Sequence, residues 1–537
     1  MANRASNKFA SVGSVLLLIL AASLAPDVSP LRAEEGSPAP QGPSKTEEKR
    51  GTISLELGKT VYVKRCLGCH GANGAGDGPA AERFKPRPRD FTLGLFKYKT
   101  TPHGSPPTDE DLVKVVTKGL PGTGMPAWES LLKENEIRSV VQVVKSFSDK
   151  FPGASSTPIT IGPEVKASKE SIEKGKQIFR DVGCFLCHGN EARGDGVLAP
   201  TLKDATGRHV QPRNLTKGWT FRAGNAPRDI YTRINTGLMG TPMPSFAKTL
   251  DNEKSWDVAN YVNSLSQYPG VPDWNVAVIA KHVSGEVAEG PEDPRWESLE
   301  RYSFPLVGQV TIDPRMFTPT VDMVTVKGMY NEKEFALLLN WDDPTKSVAA
   351  PASGQNPETF DDAVAIQFPT RLLEGTKKPY FIMGDLNNPV YVARWSGRTN
   401  AVDEFNANGT EVRVGLRIKG QPETHWQFKG KGFYKEGQYR VVFKRPLATE
   451  DKETDLQIEP GVFYPIAFTA WDGSNGERDA MRSLSAWYSV YLEVPPSPKR
   501  FVYPTLFLLA VVGLEWWIAR SYRNGANGKN GKRRKGS

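Results

Sequence analysis

Apolar residues recur every three to four positions in four stretches of the first 270 residues: SLELGKTVYVKR at 54–65, EIRSVVQVVKSF at 136–147, SIEKGKQIFRDVG at 171–183 and SWDVANYVNSLSQY at 255–268. That period gathers apolar side chains on one stripe of an α-helix. From about residue 300 to 496 the period shortens to alternation, in runs such as TVDMVTVKG, EFALLLNW, DAVAIQF, PVYVARW, EVRVGLRI, YRVVFKR and FYPIAFTAW. Short alternating runs separated by turn residues predict an all-β antiparallel sandwich. Phe501 to Ala519 is mostly apolar, and as a helix it spans roughly 28 Å, enough to cross a bilayer core once. Glu515 lies near the end of that run, beside Trp516 and Trp517, which suit the membrane interface.

Breaks in composition divide the chain. Arg4 and Lys8 precede the apolar run Val12 to Ala25, and LRA at 31–33 offers a cleavage site; residues 1–33 are expected to be an export signal peptide. Pro/Gly/Ser-rich stretches predict linkers at 34–51, 151–167 and 271–299, leaving two helical modules at 52–150 and 168–270 and the β domain at 300–496. A transmembrane helix over 501–519 and a basic tail over 520–537 complete the plan.

The two helical modules are copies of one another. KGLPGTGMPAW around Met125 matches TGLMGTPMPSF around Met243, and PRDFT at 88–92 answers PRNLT at 212–216. Each copy carries one CxxCH motif, CLGCH at 66–70 and CFLCH at 184–188, and these contain all four cysteines of the chain. Two thiols one helical turn apart can add to the two vinyl groups of a single haem while the adjoining histidine ligates its iron. Too few cysteines remain for a four-thiolate zinc site around either pair. Cys66, Cys69 and His70 are therefore expected to hold one covalent haem c, and Cys184, Cys187 and His188 a second.

Both modules resemble the mono-haem cytochrome c fold, all-α, in which a methionine from a late loop supplies the second axial ligand. The resemblance maps that role onto Met125 and Met243, each 55 residues beyond its CxxCH histidine. Met239 is a competing thioether, and His103 or His209 would give a bis-histidine alternative. Thioether ligation would place the potentials higher than histidine pairs do. Arg89 and Arg213, in the matched PR dipeptides, are candidates to pair with haem propionates.

Charge bears on topology. The tail from Arg520 to Lys535 carries seven basic residues and no acid, the signal region is also net positive, and the formal net charge of the whole chain is +9. The remaining body is near neutral, so the basic balance points to a cytoplasmic carboxyl terminus and away from nucleic acid. The chain is thus expected on the periplasmic side of a bacterial cytoplasmic membrane, with a single pass.

The β domain resembles, in LLLNWDDPTKS, FDDAVAIQFP, PYFIMGDLNNPVYVARW, YRVVFKRPLATED and FTAWDGSNGERDAMRSLSAWYSVYLE, the haem b-binding gamma subunits of a molybdenum-enzyme group. That group includes ethylbenzene dehydrogenase, dimethyl sulfide dehydrogenase, selenate and chlorate reductases, and nitrite oxidoreductase. The resemblance implies one non-covalent haem b held between Met383 and Lys444, with His425 as the fallback ligand. It also implies an iron–sulfur beta subunit and a molybdenum alpha subunit as partners, and a cytochrome or terminal oxidase as redox acceptor. Unlike the usual gamma subunit, this chain adds two haem c modules and a membrane helix, which lengthens an electron wire; nitrite oxidoreductase is the expected complex. A di-haem peroxidase, or a di-haem carrier whose sandwich holds no haem, are the alternatives. Molybdenum-cofactor, iron–sulfur and nucleotide-binding motifs are absent from the sequence, so substrate chemistry is expected on another polypeptide.

Overall fold

The computed structural model describes residues 51–154, 156–266, 274–349, 360–409, 427–452, 455–494 and 499–532. The signal segment, the EVRVGLRI run and His425 lie outside these residues.

The first module is built from α1 (Leu55–Arg65), the short α2 (Leu67–His70), α3 (Asp109–Lys118) and α4 (Glu134–Ser146). The second repeats it with α5 (Lys169–Asp181), α6 (Phe185–His188), α7 (Pro227–Thr236) and α8 (Asn252–Ser264). Ser54 and Ser168 cap α1 and α5 by accepting from Leu57 N and Ser171 N, which fixes where each module begins to coil. The periodic sequence pattern located the first and last helices of each module. It passed over α3, whose start is marked by the reciprocal Thr108–Asp111 capping box, and α7, which opens on Pro227.

One glycine in each copy lets the terminal helices cross closely. A Cβ on Gly58 of α1 would lie 2.1 Å from the Ser139 carbonyl oxygen of α4, and one on Gly175 of α5 would lie 2.0 Å from that of Asp257 of α8. Around these crossings Val61, Tyr62, Leu112, Val140 and Val141 form the first core, and Phe179, Ile230, Tyr231, Trp256 and Val258 the second. The connecting segment 151–167 is not a free tether. Ile159 N donates to Thr100 O at 2.8 Å, and the Asn252 and Asn260 side chains donate to Pro163 O and Val165 O, both at 2.9 Å.

The β domain departs from the antiparallel sandwich expected. Its sheet has 13 strands among the described residues, and its main path begins β8 (Ala401–Ala407), β7 (Val390–Ser396), β6 (Ala363–Pro369), β11 (Phe463–Trp471), β13 (Tyr488–Leu492). It continues through β1 (Ala277–His282), β4 (Met323–Tyr330), β5 (Glu334–Asp342), β10 (Gln438–Pro446) and β9 (Lys429–Lys435). β1 pairs in parallel with both β13 and β4, so the sheet is mixed. The end strands β8 and β9 touch, so the sheet curls almost into a barrel. β1 falls in the segment read as a linker, where only the short AVIAKH alternation announces it. Alternate residues such as Phe304, Leu337, Ile366, Tyr391, Phe443 and Phe468 fill the interior.

The carboxyl-terminal helix α9 (Lys499–Lys532) runs further than the 501–519 span expected, and its stretch Val502–Arg523 is long and apolar enough to cross a membrane. The large apolar side chains along that stretch are exposed.

Candidate functional site

Both CxxCH motifs fold as a tight helical turn. His70 N donates to Cys66 O at 2.9 Å and His188 N to Cys184 O at 2.9 Å, so each pair of thiols is set three residues apart on one helical turn. Burial pushes the Cys66 thiol up to about 11 and the Cys184 thiol up to about 12, the like-charged partner cysteine adding to the first effect. A redox CxxC motif needs the opposite, a thiol lowered toward neutrality. Burial therefore disfavours a dithiol switch at either motif.

The histidines are aimed by the backbone. Nδ1 of His70 lies 3.1 Å from Arg89 O, and Nδ1 of His188 lies 3.0 Å from Arg213 O. A carbonyl only accepts, so Nδ1 must carry the proton and Nε2 is left with its lone pair free for a metal. Burial lowers the pKa of both imidazoles, which favours the neutral form that ligation requires. Phe91 stacks on His70 with ring centroids 4.4 Å apart, limiting rotation of the ring.

The methionine loops are equally matched. Leu120 N donates to Met125 O at 3.0 Å and Leu238 N to Met243 O at 3.1 Å. In each loop a threonine hydroxyl, Thr123 or Thr241, accepts from the methionine N and donates to the leucine carbonyl. The shared geometry supports Met125 and Met243 as equivalent residues. Met239 is packed into the protein, His103 Nδ1 lies against Thr236 O of the second module, and His209 Nε2 against Ala199 O.

Arg89 and Arg213 gather with Lys97 and Arg222 where the modules meet. Burial lowers the pKa of Arg213 to about 10, with Arg222 adding to the effect, and lowers Lys97 to about 8, with Arg89, Arg222 and Arg213 all contributing. Arg222 Nε is buried without a partner, while its Nη2 donates to Gly122 O across the module boundary. Asp204 and Asp90 act on this group, but burial outweighs them at Arg89 and Lys97, and haem propionates would supply further negative charge there. The residues present thus fit haem c in both modules. Sequence reasoning named Arg89 and Arg213 but missed Lys97 and Arg222, which follow Phe96 and Phe221 at similar distances beyond the PR dipeptides. It also missed that the arginine carbonyls orient the histidines.

For haem b the fit fails. Met383, at a left-handed φ of 55°, is buried against Ala363, Ala365, Val390, Val392, Phe405 and Trp471 on the outer side of β6 to β8 and β11. Lys444 belongs to β10, where Val441 and Phe443 point into the interior and Val442 and Lys444 point outward. Lys444 Nζ lies 3.1 Å from Glu334 and 3.3 Å from Glu289. Burial disfavours the ammonium there, but Glu334 and Glu289 outweigh it and raise the pKa, whereas iron ligation needs the neutral amine. As placed, Met383 packs in an apolar cluster and Lys444 is held by two carboxylates.

Both modules pack directly on the β domain. Lys217 of the second module is buried between Asp322, at 2.6 Å, and Asp342, at 3.6 Å, and Asn214 donates to Asp342 at 3.0 Å. In the first module Lys85 Nζ donates to Asn475 O at 3.1 Å, and Phe84 meets Phe317 at 6.1 Å between ring centroids.

Residues 172–266 match the family described as cytochrome c, and residues 54–142 match that of cbb3-type cytochrome c oxidase subunit III. The first half of this chain is a pair of cytochrome c domains. The cbb3-type cytochrome c oxidase subunit CcoP of Azospirillum sp. is 30% identical over 40% of this chain, which spans 62% of that protein's length. The gamma subunit of dimethylsulfide dehydrogenase of Rhodovulum sulfidophilum is 26% identical over 40% of this chain and 79% of its own length. The chlorate reductase gamma subunit of Ideonella dechloratans is 25% identical over 41% of this chain and 86% of its own. Homologues of the chain thus include gamma subunits of molybdenum enzymes as well as oxidase cytochromes. A chain of the Kuenenia stuttgartiensis reducing HAO-like protein complex is 42% identical over 40% of this chain and all of its own, with a TM-score of 0.39.

Proposed function

We propose that this chain is a membrane-anchored electron-transfer subunit of an oxidoreductase complex, carrying electrons between a catalytic partner and a respiratory acceptor. When bound, each haem c supplies a one-electron couple. The protein's part is to hold two such groups in fixed orientation. His70 and His188 are aimed by the Arg89 and Arg213 carbonyls, and the shared cluster of Arg89, Lys97, Arg213 and Arg222 would pair with the propionates of both haems. That cluster, assembled from two copies of one fold, is the observation that carries the reading: a single-module carrier has no use for a joint one.

The partners we favour are an iron–sulfur subunit and a molybdenum subunit of the nitrite oxidoreductase type, on the periplasmic face of a bacterial cytoplasmic membrane. The likeness to gamma subunits supports this assignment, and the apolar helix α9 with its basic end supports anchorage with the carboxyl terminus in the cytoplasm. That likeness also implies a haem b, but Met383 and Lys444 as placed do not supply its ligands, and no step of the relay is assigned to it. Affinity purification from native membranes tests the proposal. Co-purification of a molybdenum subunit with an iron–sulfur subunit is expected; recovery of the chain alone, turning over peroxide rapidly, would replace the relay with a di-haem peroxidase.

A further inference from the structure

Three carboxylates converge inside the β domain. Asp343, which follows β5, Asp362, which precedes β6, and Asp472, which follows β11, each place an oxygen within 4.8 Å of the others, and all three are buried. Each is rigidly held. Asp343 Oδ1 accepts from Thr345 N at 3.0 Å and from its hydroxyl at 3.2 Å. Asp362 accepts from Tyr439 Oη and from Gly473 N, both at 2.8 Å, and also from Ser347 N. Asp472 Oδ1 accepts from Ser474 N at 2.8 Å and from its hydroxyl at 2.7 Å.

The remaining oxygen of Asp343 has no such partner. Asp343 is 0% exposed, and its Oδ2 is buried with no hydrogen-bond donor in reach. Among the described residues no lysine or arginine pairs with any of the three carboxylates. An uncompensated buried carboxylate is strongly unfavourable, and three together repel. An oxygen-only donor set of carboxylates suits a hard cation, whereas zinc and copper favour nitrogen and sulfur. Calcium tolerates irregular geometry and accepts carboxylate oxygens readily; magnesium demands a near-ideal octahedron and keeps its waters.

We propose that Asp343, Asp362 and Asp472 bind one calcium ion. The site lies where both cytochrome modules dock. Asp342, the neighbour of Asp343, receives Lys217 and Asn214 of the second module, and Asn475, three residues past Asp472, receives Lys85 of the first. An ion joining the segments that carry Asp342 and Asn475 fixes both docking points on one frame.

The test uses the full-length, haem-loaded protein stripped with EGTA and dialysed against calcium or magnesium. Elemental analysis should find about one calcium per chain, and the unfolding midpoint followed by tryptophan fluorescence should rise with the logarithm of free calcium. Asp343→Asn should abolish both responses while keeping two covalent haems. If wild-type protein takes up no calcium and its midpoint does not move up to millimolar concentrations, the proposal is overturned, even where the variant fails to fold. Stoichiometric calcium retained by both Asp343→Asn and Asp472→Asn overturns the location, and equal uptake of magnesium overturns the choice of ion.

Discussion

Arg213 serves its module twice, through a carbonyl that orients His188 and through a buried guanidinium in the cluster at the module boundary. The two roles separate experimentally, because Arg213→Gln removes the charge and keeps the carbonyl. Reduction lowers the positive charge on the iron, so a nearby cation favours the reduced state. Arg213→Gln should therefore lower a haem potential by tens of mV, about 59 mV being tenfold in a one-electron equilibrium, with both covalent haems retained in a redox titration. An unchanged potential would mean that the guanidinium faces no haem. At this scale the sequence was legible where chemistry demands spacing: CxxCH and the matched MP methionines need fixed positions, and they repeat. It was illegible where a role depends on which way a strand side chain points. Lys444 and Arg445 are adjacent in VFKRPL, yet Arg445 is the one buried in the interior at 1% exposure, and Lys444 turns outward to two glutamates.

The helix crossings make the modules sensitive to a single methyl group. With a Cβ at 2.1 Å from Ser139 O, Gly58→Ala must push α1 from α4 against unyielding backbone, and Gly175→Ala must do the same to α5 and α8. Overpacking of this kind costs about 1–3 kcal/mol. Each substitution should lower the midpoint of thermal unfolding followed at the Soret band of its own module; no change in either would show that the helices separate freely. The methionine loops offer a second test. Thr123→Val removes the hydroxyl that links Met125 N to Leu120 O, and should weaken the methionine–iron charge-transfer band of one haem while Thr241 preserves the other. The helices α4 and α5 were legible because each carries an apolar stripe, whereas α1 buries only Gly58, Val61 and Tyr62 and leaves Leu55 and Val63 exposed. β1 was not legible, since six residues among Pro- and Gly-rich sequence carry little periodic signal, and only the parallel partners β4 and β13 make it a strand.

Two cytochrome modules are seated on a curled sheet, and the carboxyl-terminal helix is long and apolar enough to cross a membrane. Lys217 is central to this seating: its side chain is 8% exposed, and burial, which alone would lower its pKa, is outweighed by Asp322 and Asp342. Lys217→Met leaves those carboxylates without their cation. Breaking a buried pair costs about 3–5 kcal/mol, and less here because Asp322 is 42% exposed. Limited proteolysis should then cut faster between the second module and the β domain, with haem content unchanged; an unaltered cleavage rate would show that the contact does not hold the module. Removing residues 499–537 should release a soluble protein that keeps both haems, as judged by fractionation.

The central claim is that this polypeptide carries two covalently attached haems c, one in each module. A pyridine haemochrome assay combined with the intact mass of the purified chain tests it most directly. Two c-type haems per chain, falling to one in a Cys184→Ser, Cys187→Ser double variant, is the predicted result; one or no covalent haem in the unaltered protein would contradict the account.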